Sequence, residues 1–174
     1  MDNVRIKLIT EADSGELYQL IVDNRNNLEK WIEWIRDIHN EAEMHTYIQK
    51  IIHTERKEAT ITFVILLNEK VIGMADISDI SPDGKMGEVG LWLSEEYQGK
   101  GIAGAVISEI EKYSKSKTKI NTLKMLIKAN NVNSLKMAHK LGYQEVEKLT
   151  SWKNGEVKWI VLCKKILKKS KCQI

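Results

Sequence analysis

The chain has 174 residues, of which 43% are hydrophobic and 29% are charged, and this composition is typical of one globular domain rather than a disordered segment. Its 27 Lys and Arg residues against 24 Asp and Glu residues leave a formal net charge of +3, which is too balanced to favour a nucleic-acid-binding protein. The longest apolar runs, such as Phe63–Leu67, fall far short of the roughly 20 residues that a transmembrane helix needs. We therefore expect neither nucleic acid nor a membrane as a partner.

The N-terminal residues lack the apolar segment of a secretory signal, so we expect a cytoplasmic chain. The two cysteines, Cys163 and Cys172, are too few and too poorly spaced for a disulfide framework or a cysteine-based zinc site. None of the four histidines lies in a metal-binding motif. No metal site is predicted.

The first part of the chain is predicted to contain one strand and three helical segments. Residues 4–8 alternate apolar and polar side chains, which is the period of a strand. Thr10 is expected to cap a helix whose buried stripe includes Leu17 and Ile21. Apolar spacing over 28–35 predicts a second helical segment, and a third begins at Asn40 and covers about 41–58.

The rest of the chain alternates predicted strands and helices. The dipeptide Asn68-Glu69 joins two of the strands, and the absence of Gly at its second position argues against a type I′ turn although a hairpin is expected. The order predicts an α/β (α+β) fold with one mixed sheet, in a single domain spanning 1–174. The remaining elements are strands 60–67, 70–78 and 86–93, a turn at 82–84, helix 102–113, strand 122–128, helix 134–141 stopped by Gly142, and strands 143–149 and 156–163 around a turn at Asn154-Gly155, followed by a Lys-rich tail at 164–171 that we expect to be solvated.

A glycine-rich loop follows the strand that ends at Leu93 and leads into the next helix at Ile102. The first N–H groups of a helix have no partner within it, and the helix dipole adds about half a positive charge there. Glycine lets the backbone approach a ligand closely. The loop therefore suits an anion such as a pyrophosphate, although a plain tight turn would have a similar sequence.

Four segments resemble motifs of the GNAT acetyltransferases, and they occur in that family's order. Gln98-x-x-Gly101-x-Ala103 resembles the acetyl-coenzyme A motif, and the strand 87–93 resembles the splayed central strand. Asn131-x-x-Ser134 with the later Gly142-Tyr143 resembles the next motif, and 24–34 resembles the RimJ/RimL branch of ribosomal-protein N-terminal acetyltransferases. The resemblance implies a mostly antiparallel central sheet with helices on both faces.

The resemblance also implies acetyl-coenzyme A as the acyl donor, and it implies the residues that bind it. The strand around 91–93 would pair with the pantetheine arm, with an N–H at about Leu93 as the oxyanion donor. Asn131 would contact the arm, although a helix N-cap is an equally simple role for it. The donor-binding residues implied in this way are Leu91, Trp92, Leu93, Gln98, Gly99, Lys100, Gly101, Ile102, Ala103, Gly104, Asn131 and Ser134.

Direct attack of an amine on a thioester requires a proton acceptor. Strand alternation places Glu88 on the same face as Gly90, where a small residue leaves room for a ligand, and many family members carry a catalytic Glu on this strand. Ser134 matches the serine that assists the departing thiolate in the ribosomal branch, unless it only caps its helix. Trp31 and Trp34 lie where the branch covers its acceptor site, and packing in the core is the other interpretation of both.

Two departures from the family affect the mechanism and the acceptor. Ala138 stands where many GNAT enzymes have a tyrosine acid, and 149–152 lacks the carboxylate that the ribosomal member carries there. Water therefore remains an alternative to Glu88 as proton acceptor.

The predicted function is acetylation of a primary amine in a ternary complex, with a protein N-terminal α-amine as the leading acceptor. A polyamine, aminoglycoside or amino acid is the alternative acceptor, and a non-catalytic acyl-coenzyme A sensor is the alternative class. Because the branch often dimerises, a second copy of the chain is a further expected partner.

Overall fold

The computed structural model describes residues 3–58, 60–153 and 156–167. Within these ranges it contains seven strands and four α-helices, and it confirms the mixed α/β class. The elements are β1 (Val4–Leu8), α1 (Ser14–Leu28), α2 (Glu41–Glu58), β2 (Ile61–Leu67), β3 (Lys70–Ser78), β4 (Met86–Leu93), α3 (Ile102–Lys117), β5 (Thr122–Lys128), α4 (Val132–Lys140), β6 (Gln144–Lys153) and β7 (Glu156–Ile166).

The described residues divide into two compact units that are interleaved in sequence. The first contains residues up to 79 and residues 90–109, and the second contains 80–89 and the residues from 110 onward. The strand order is β1-β2-β3-β4 in the first unit and β4-β5-β7-β6 in the second, with β4 contributing residues to both.

A two-residue turn joins β2 and β3 in the first unit, and Leu67 pairs directly with Lys70. Asn68 and Glu69 both have positive φ, 49° and 67°, which is the pattern of a type I′ turn, so the expectation against that turn was wrong. Side-chain contacts stabilise the turn, because Asn68 accepts a hydrogen bond from the N–H of Asn3 and Glu69 pairs with Arg5. Contacts with Asn3 and with Arg5 of β1 thus stabilise a turn that has no glycine.

Both faces of the sheet are covered in the first unit, as the resemblance implied. On one face, Met74 and Trp92 pack with α1 and α2 residues such as Leu17 and Ile48 in one buried cluster. Residues on the other face, such as Phe63, are also buried. Burial of both faces explains the nearly continuous apolar sequence of β2.

The helix predicted over 28–35 does not form. Helix α1 ends at Leu28, and the segment that follows contains a single 3-10 turn, Glu33–Asp37. The Arg25 guanidinium donates hydrogen bonds to the carbonyl oxygens of Ile35, at 3.0 Å, and Ile38. These bonds hold the segment after α1 in a non-helical path, although its apolar spacing resembles that of a helix.

The second unit is mostly antiparallel. Strand β7 pairs antiparallel with both β5 and β6. Strand β4 pairs parallel with β5 over three residue pairs, ending at Glu88 and Lys124. Strands β6 and β7 both end later than predicted: β6 reaches Lys153 instead of 149, and β7 reaches Ile166 instead of 163.

The boundaries of α4 agree closely with the sequence. The helix begins at Val132, and Gly142, with φ of 85°, follows its end as predicted. The predicted turn at Asn154-Gly155, the last part of the Lys-rich tail and Cys172 lie outside the described residues.

Cys163 is fully buried, and burial raises the pKa of its thiol, which agrees with a packing role. In the described part of the chain no helix has the length and apolarity that crossing a membrane requires.

Candidate active site

The end of β4 leads into the glycine-rich loop through a short 3-10 turn, Glu95–Tyr97. The Gln98 side chain donates a hydrogen bond of 2.9 Å back to the carbonyl oxygen of Leu93, which closes this turn. The N–H of Gln98 itself donates to the Glu95 carbonyl oxygen at 3.1 Å. Because that N–H is already used, the donors available to an anion begin at Gly99 rather than at Gln98.

Two glycines give the loop its shape. Gly99 and Gly101 have φ of 71° and 79°, in the left-handed region where other residues are strained. A Cβ added to either would meet no atom within 4 Å, so the space beside the loop is open to a ligand. The first turn of α3 contains no acidic residue, so no carboxylate there opposes the positive end of the helix dipole.

Cationic side chains lie beside the loop. The ammonium groups of Lys70 and Lys100 lie 5.6 and 5.9 Å from the centre of the Tyr97 ring. Lys100 is exposed and belongs to the predicted motif. The loop therefore combines backbone donors with nearby positive charge, which is what a pyrophosphate requires.

A buried amide holds this loop in place. Asn24 of α1 is 8% exposed, and its Oδ1 accepts hydrogen bonds from the Glu95 N–H at 2.7 Å and the Ser94 hydroxyl at 3.2 Å. Its Nδ2 donates to the Leu20 carbonyl oxygen at 2.8 Å. The branch-like motif contained Asn24, but the sequence alone did not identify it as a site residue. A polar residue on the apolar stripe of a helix was the available signal.

Strand β4 contributes mainly backbone to this part of the site. Trp92 is 8% exposed and its side chain packs in the core between the sheet and α1–α2, which is compatible with the predicted main-chain pairing of 91–93 with the pantetheine arm. Its indole N–H has no hydrogen-bond partner among the described residues. Leu93 is also buried, and Leu91 is half-buried. Any contact from Trp92 to a donor molecule must therefore use its main chain.

Glu88 lies in the second unit, where its Oε2 is 3.4 Å from the ammonium of Lys124. The two side chains are 25% and 14% exposed, so both remain within reach of solvent. The pair occupies the last position of the β4–β5 register. Glu88 is thus a partly buried, charge-paired carboxylate rather than a freely solvated strand end.

Asn131 and Ser134, also in the second unit, have different roles at the start of α4. Asn131 is the N-cap, and its side chain accepts a 3.2 Å hydrogen bond from the backbone N–H of Ser134. The capping interpretation is therefore confirmed for Asn131. The Ser134 hydroxyl does not supply this cap, so its match to the family serine needs another explanation.

The two tryptophans proposed for acceptor binding differ in environment. Trp31 is 45% exposed. Trp34 is half-buried and stacks on Tyr47 of α2, with ring centres 4.3 Å apart and planes inclined by 16°. The Trp34–Tyr47 pair forms an aromatic wall. The sequence predicted a role at the acceptor site for Trp31 and Trp34 but not the contact with Tyr47.

Asp76 of β3 is a half-buried carboxylate that the sequence reasoning missed. A Cβ placed on Gly90 would lie 3.1 Å from its Oδ2 and 3.5 Å from its Oδ1, so the carboxylate covers that glycine. Burial, and secondarily the Asp76 charge, raise the pKa of Tyr47. An acidic residue within the apolar run of β3 was the signal in the sequence. Across the described residues, no group of three or more His, Cys, Asp or Glu side chains could hold a metal ion.

We predict that replacing Asn24 by alanine loosens the loop after β4. The substitution leaves the Glu95 N–H and the buried Ser94 hydroxyl without their acceptor, which costs about 1–3 kcal/mol of unfolding free energy. Denaturant unfolding measures the loss, and amide exchange at Glu95 should become faster. The control is Asn26→Ala on the exposed side of α1; equal stability and equal Glu95 exchange in the two variants would contradict this role.

Comparison with known proteins identifies relatives of this chain among ribosomal-protein acetyltransferases. The Escherichia coli ribosomal-protein-serine acetyltransferase is 22% identical over 142 residues, covering 82% of this chain and 79% of that protein. The Bacillus subtilis protein named "Putative ribosomal N-acetyltransferase YdaF" is 24% identical over 148 residues, covering 83% and 79%. The crystal structure of RimL, a ribosomal L7/L12 α-N-protein acetyltransferase in complex with coenzyme A, superposes with a TM-score of 0.88 at 18% identity, covering 96% of each chain.

These similarities confirm the predicted resemblance to the ribosomal branch. The sequence pattern of the GNAT acetyltransferase domain matches residues 3–144, which include β1 to β5 and α1 to α4. The match covers most of the chain, and it includes the loop between β4 and α3 described above. The chain belongs to the GNAT acetyltransferase family.

Proposed function

We propose that this protein is an acetyl-coenzyme A-dependent N-acetyltransferase whose acceptor is the α-amine of a protein N-terminus. The observation that carries the proposal is the strand–glycine loop–helix arrangement from Leu93 to Ile102, in a chain of the GNAT family. The similarity to proteins named as ribosomal N-acetyltransferases supports the acceptor class. A cytoplasmic location, a homodimeric assembly and a single working domain belong to the same proposal.

The first unit carries the features that fit the acyl donor. The open space beside Gly99 and Gly101, together with the N–H groups at the start of α3, suits the pyrophosphate. The parallel register of β4 ends at Glu88, and the backbone at Leu91–Leu93 is proposed to pair with the pantetheine arm. Acetyl-coenzyme A supplies the acetyl group as a thioester, and the Leu93 N–H would polarise its carbonyl.

The chemistry makes small demands on acid–base groups. An α-amine has a pKa of about 7.7–8.0, whereas a lysine side chain has a pKa of about 10.4, so roughly a tenth of the α-amine but less than about a thousandth of the lysine amine is neutral at pH 7. Glu88, or water beside it, accepts the proton that the attacking amine loses. The Ser134 hydroxyl is not needed as a helix cap, which supports its role as a hydrogen-bond donor to the departing thiolate.

Release of coenzyme A thiol across a panel of amines tests the proposed function. We expect release with peptides that carry a free N-terminal Ser or Ala, and none with the same peptides blocked at the α-amine. Spermidine, an aminoglycoside and free amino acids form the second arm of the panel. Turnover confined to that arm would replace the proposed acceptor, and tight coenzyme A binding without turnover on any amine would identify a sensor.

Gly101→Glu should weaken coenzyme A binding by at least about tenfold, because it places a negative charge beside the proposed pyrophosphate site. Isothermal titration calorimetry measures the affinity. The matched control is Gly84→Glu, which imposes a similar backbone strain at φ of 70° in the turn before β4. If both folded variants bind coenzyme A equally well, the donor site lies elsewhere.

Changing the acidity of the donor's leaving thiol should distinguish the role of Ser134 from that of Glu88. Glu88→Gln removes a proton acceptor and is expected to lower kcat by about 10²–10⁴-fold. Ser134→Ala removes one hydrogen bond to a charged sulfur and is expected to lower kcat by about 10–100-fold, with little change in melting temperature. A donor with a more acidic thiol should restore part of the rate of Ser134→Ala only.

Asn131→Ala is the control for a purely structural role of Ser134, since it removes the α4 cap and costs about 1 kcal/mol of stability. If Ser134→Ala loses stability as Asn131→Ala does, while keeping its rate per folded molecule, Ser134 is structural. If Glu88→Gln has the same rate as the wild-type protein from pH 6 to 9, water rather than Glu88 accepts the proton.

A further inference from the structure

Asp76 is a charged residue in an otherwise apolar segment of a central strand. The neighbouring residues of β3, from Val71 to Ala75 and Ile77, are buried, whereas Asp76 is only half-buried. A carboxylate taken partly out of water loses hydration, which polar neighbours must offset. The residue opposite Asp76 on β2 is the buried Thr62, and the carboxylate also extends toward β4.

The shape of the neighbouring strand is adapted to this carboxylate. Asp76 and Met74 share one face of β3, and Gly90 and Trp92 share one face of β4. Met74 and Trp92 belong to the cluster packed against α1 and α2, so this face is the one that those helices cover. Since Gly90 has no side chain, the carboxylate can extend over β4 to within 3.1 Å of the Cβ position.

Aromatic groups complete the surroundings of Asp76. Tyr47 of α2 and Trp34 pack against the buried cluster that contains Met74 and Trp92. Burial and, secondarily, the Asp76 charge raise the pKa of the Tyr47 hydroxyl, and Trp34 stacks on the Tyr47 ring. A carboxylate near aromatic side chains is a combination that proteins use to bind ammonium groups, through a charge-assisted hydrogen bond and cation–π attraction.

We propose that the Asp76 carboxylate binds the acceptor's ammonium group and orients the amine over Gly90, with the Trp34–Tyr47 pair as the wall of the acceptor site. The proposal rests on the proposed acetyltransferase function and deepens it, because it states that the acceptor is recognised as a cation. Gly90 immediately precedes the backbone segment Leu91–Leu93 proposed to pair with the donor. Asp76 makes or breaks no covalent bond. The ammonium loses one proton before its nitrogen attacks the thioester and a second as the amide forms; these protons pass to Glu88 and water, while the third N–H stays hydrogen-bonded to Asp76.

The test is Asp76→Asn, assayed with the peptide or small amine that the wild-type protein acetylates best. The KM for the amine is expected to rise by roughly 10–100-fold, as for loss of one charge-assisted hydrogen bond, while the affinity for coenzyme A is unchanged. Asp76→Glu should restore part of the amine affinity. Gly90→Ala should raise the same KM, because its Cβ would crowd the carboxylate.

Asp79→Asn is the matched control, since it removes the same charge just beyond the end of β3, and asparagine tolerates the positive φ of 45° at that position. An unchanged amine KM in Asp76→Asn and Gly90→Ala would overturn the proposal while leaving the acetyltransferase function intact. A fall in kcat alone, without a change in KM, would overturn it too. No turnover in the wild-type protein with any amine would instead refute the proposed function on which it rests.

Discussion

The hydrogen bonds of the buried Asn24 amide fix where β4 ends and the glycine-rich loop begins. They join α1 to Ser94 and Glu95, immediately before the turn from which Gln98 reaches back to Leu93. The first free donors, the positive φ of the two glycines and the start of α3 all follow from that point. A single buried polar side chain therefore sets the geometry of the proposed donor site, since each of its bonds is shielded from water.

The adjacent residue on α1 organises the opposite side of the same unit. Arg25 binds the carbonyl groups of the segment between α1 and α2, and this segment carries Trp34. Trp34 then stacks on Tyr47, whose environment includes Asp76. Asn24 and Arg25, two consecutive residues of α1, thus position the donor loop and the aromatic wall proposed for the acceptor. The geometry of both parts therefore depends on α1.

Much of the fold could be predicted because strand alternation, helix spacing and glycine stops are local signals. The loop of the donor site was predictable for the same reason, since its glycines and helix start are adjacent in sequence. Alternation along β4 groups Trp92 with Gly90 but does not reveal that this face is buried under α1 and α2. Asp76 was missed because the position of its carboxylate depends on the space left by Gly90 on a neighbouring strand, a contact that no local sequence pattern shows. The segment after Leu28 was misread because hydrogen bonds from Arg25 hold it in a non-helical path.

The chemistry proposed here requires an amine that binds as a cation but has an appreciable neutral fraction near pH 7. Those two requirements are compatible for an α-amine, whose pKa of about 7.7–8.0 lies close to the working pH, and much less so for a lysine side chain. Tandem mass spectrometry of a peptide with a free N-terminus and an internal lysine, after incubation with the protein and acetyl-coenzyme A, tests this most directly. The account predicts an acetyl group on the α-amine alone; acetylation of the lysine side chain in preference to the α-amine would contradict it.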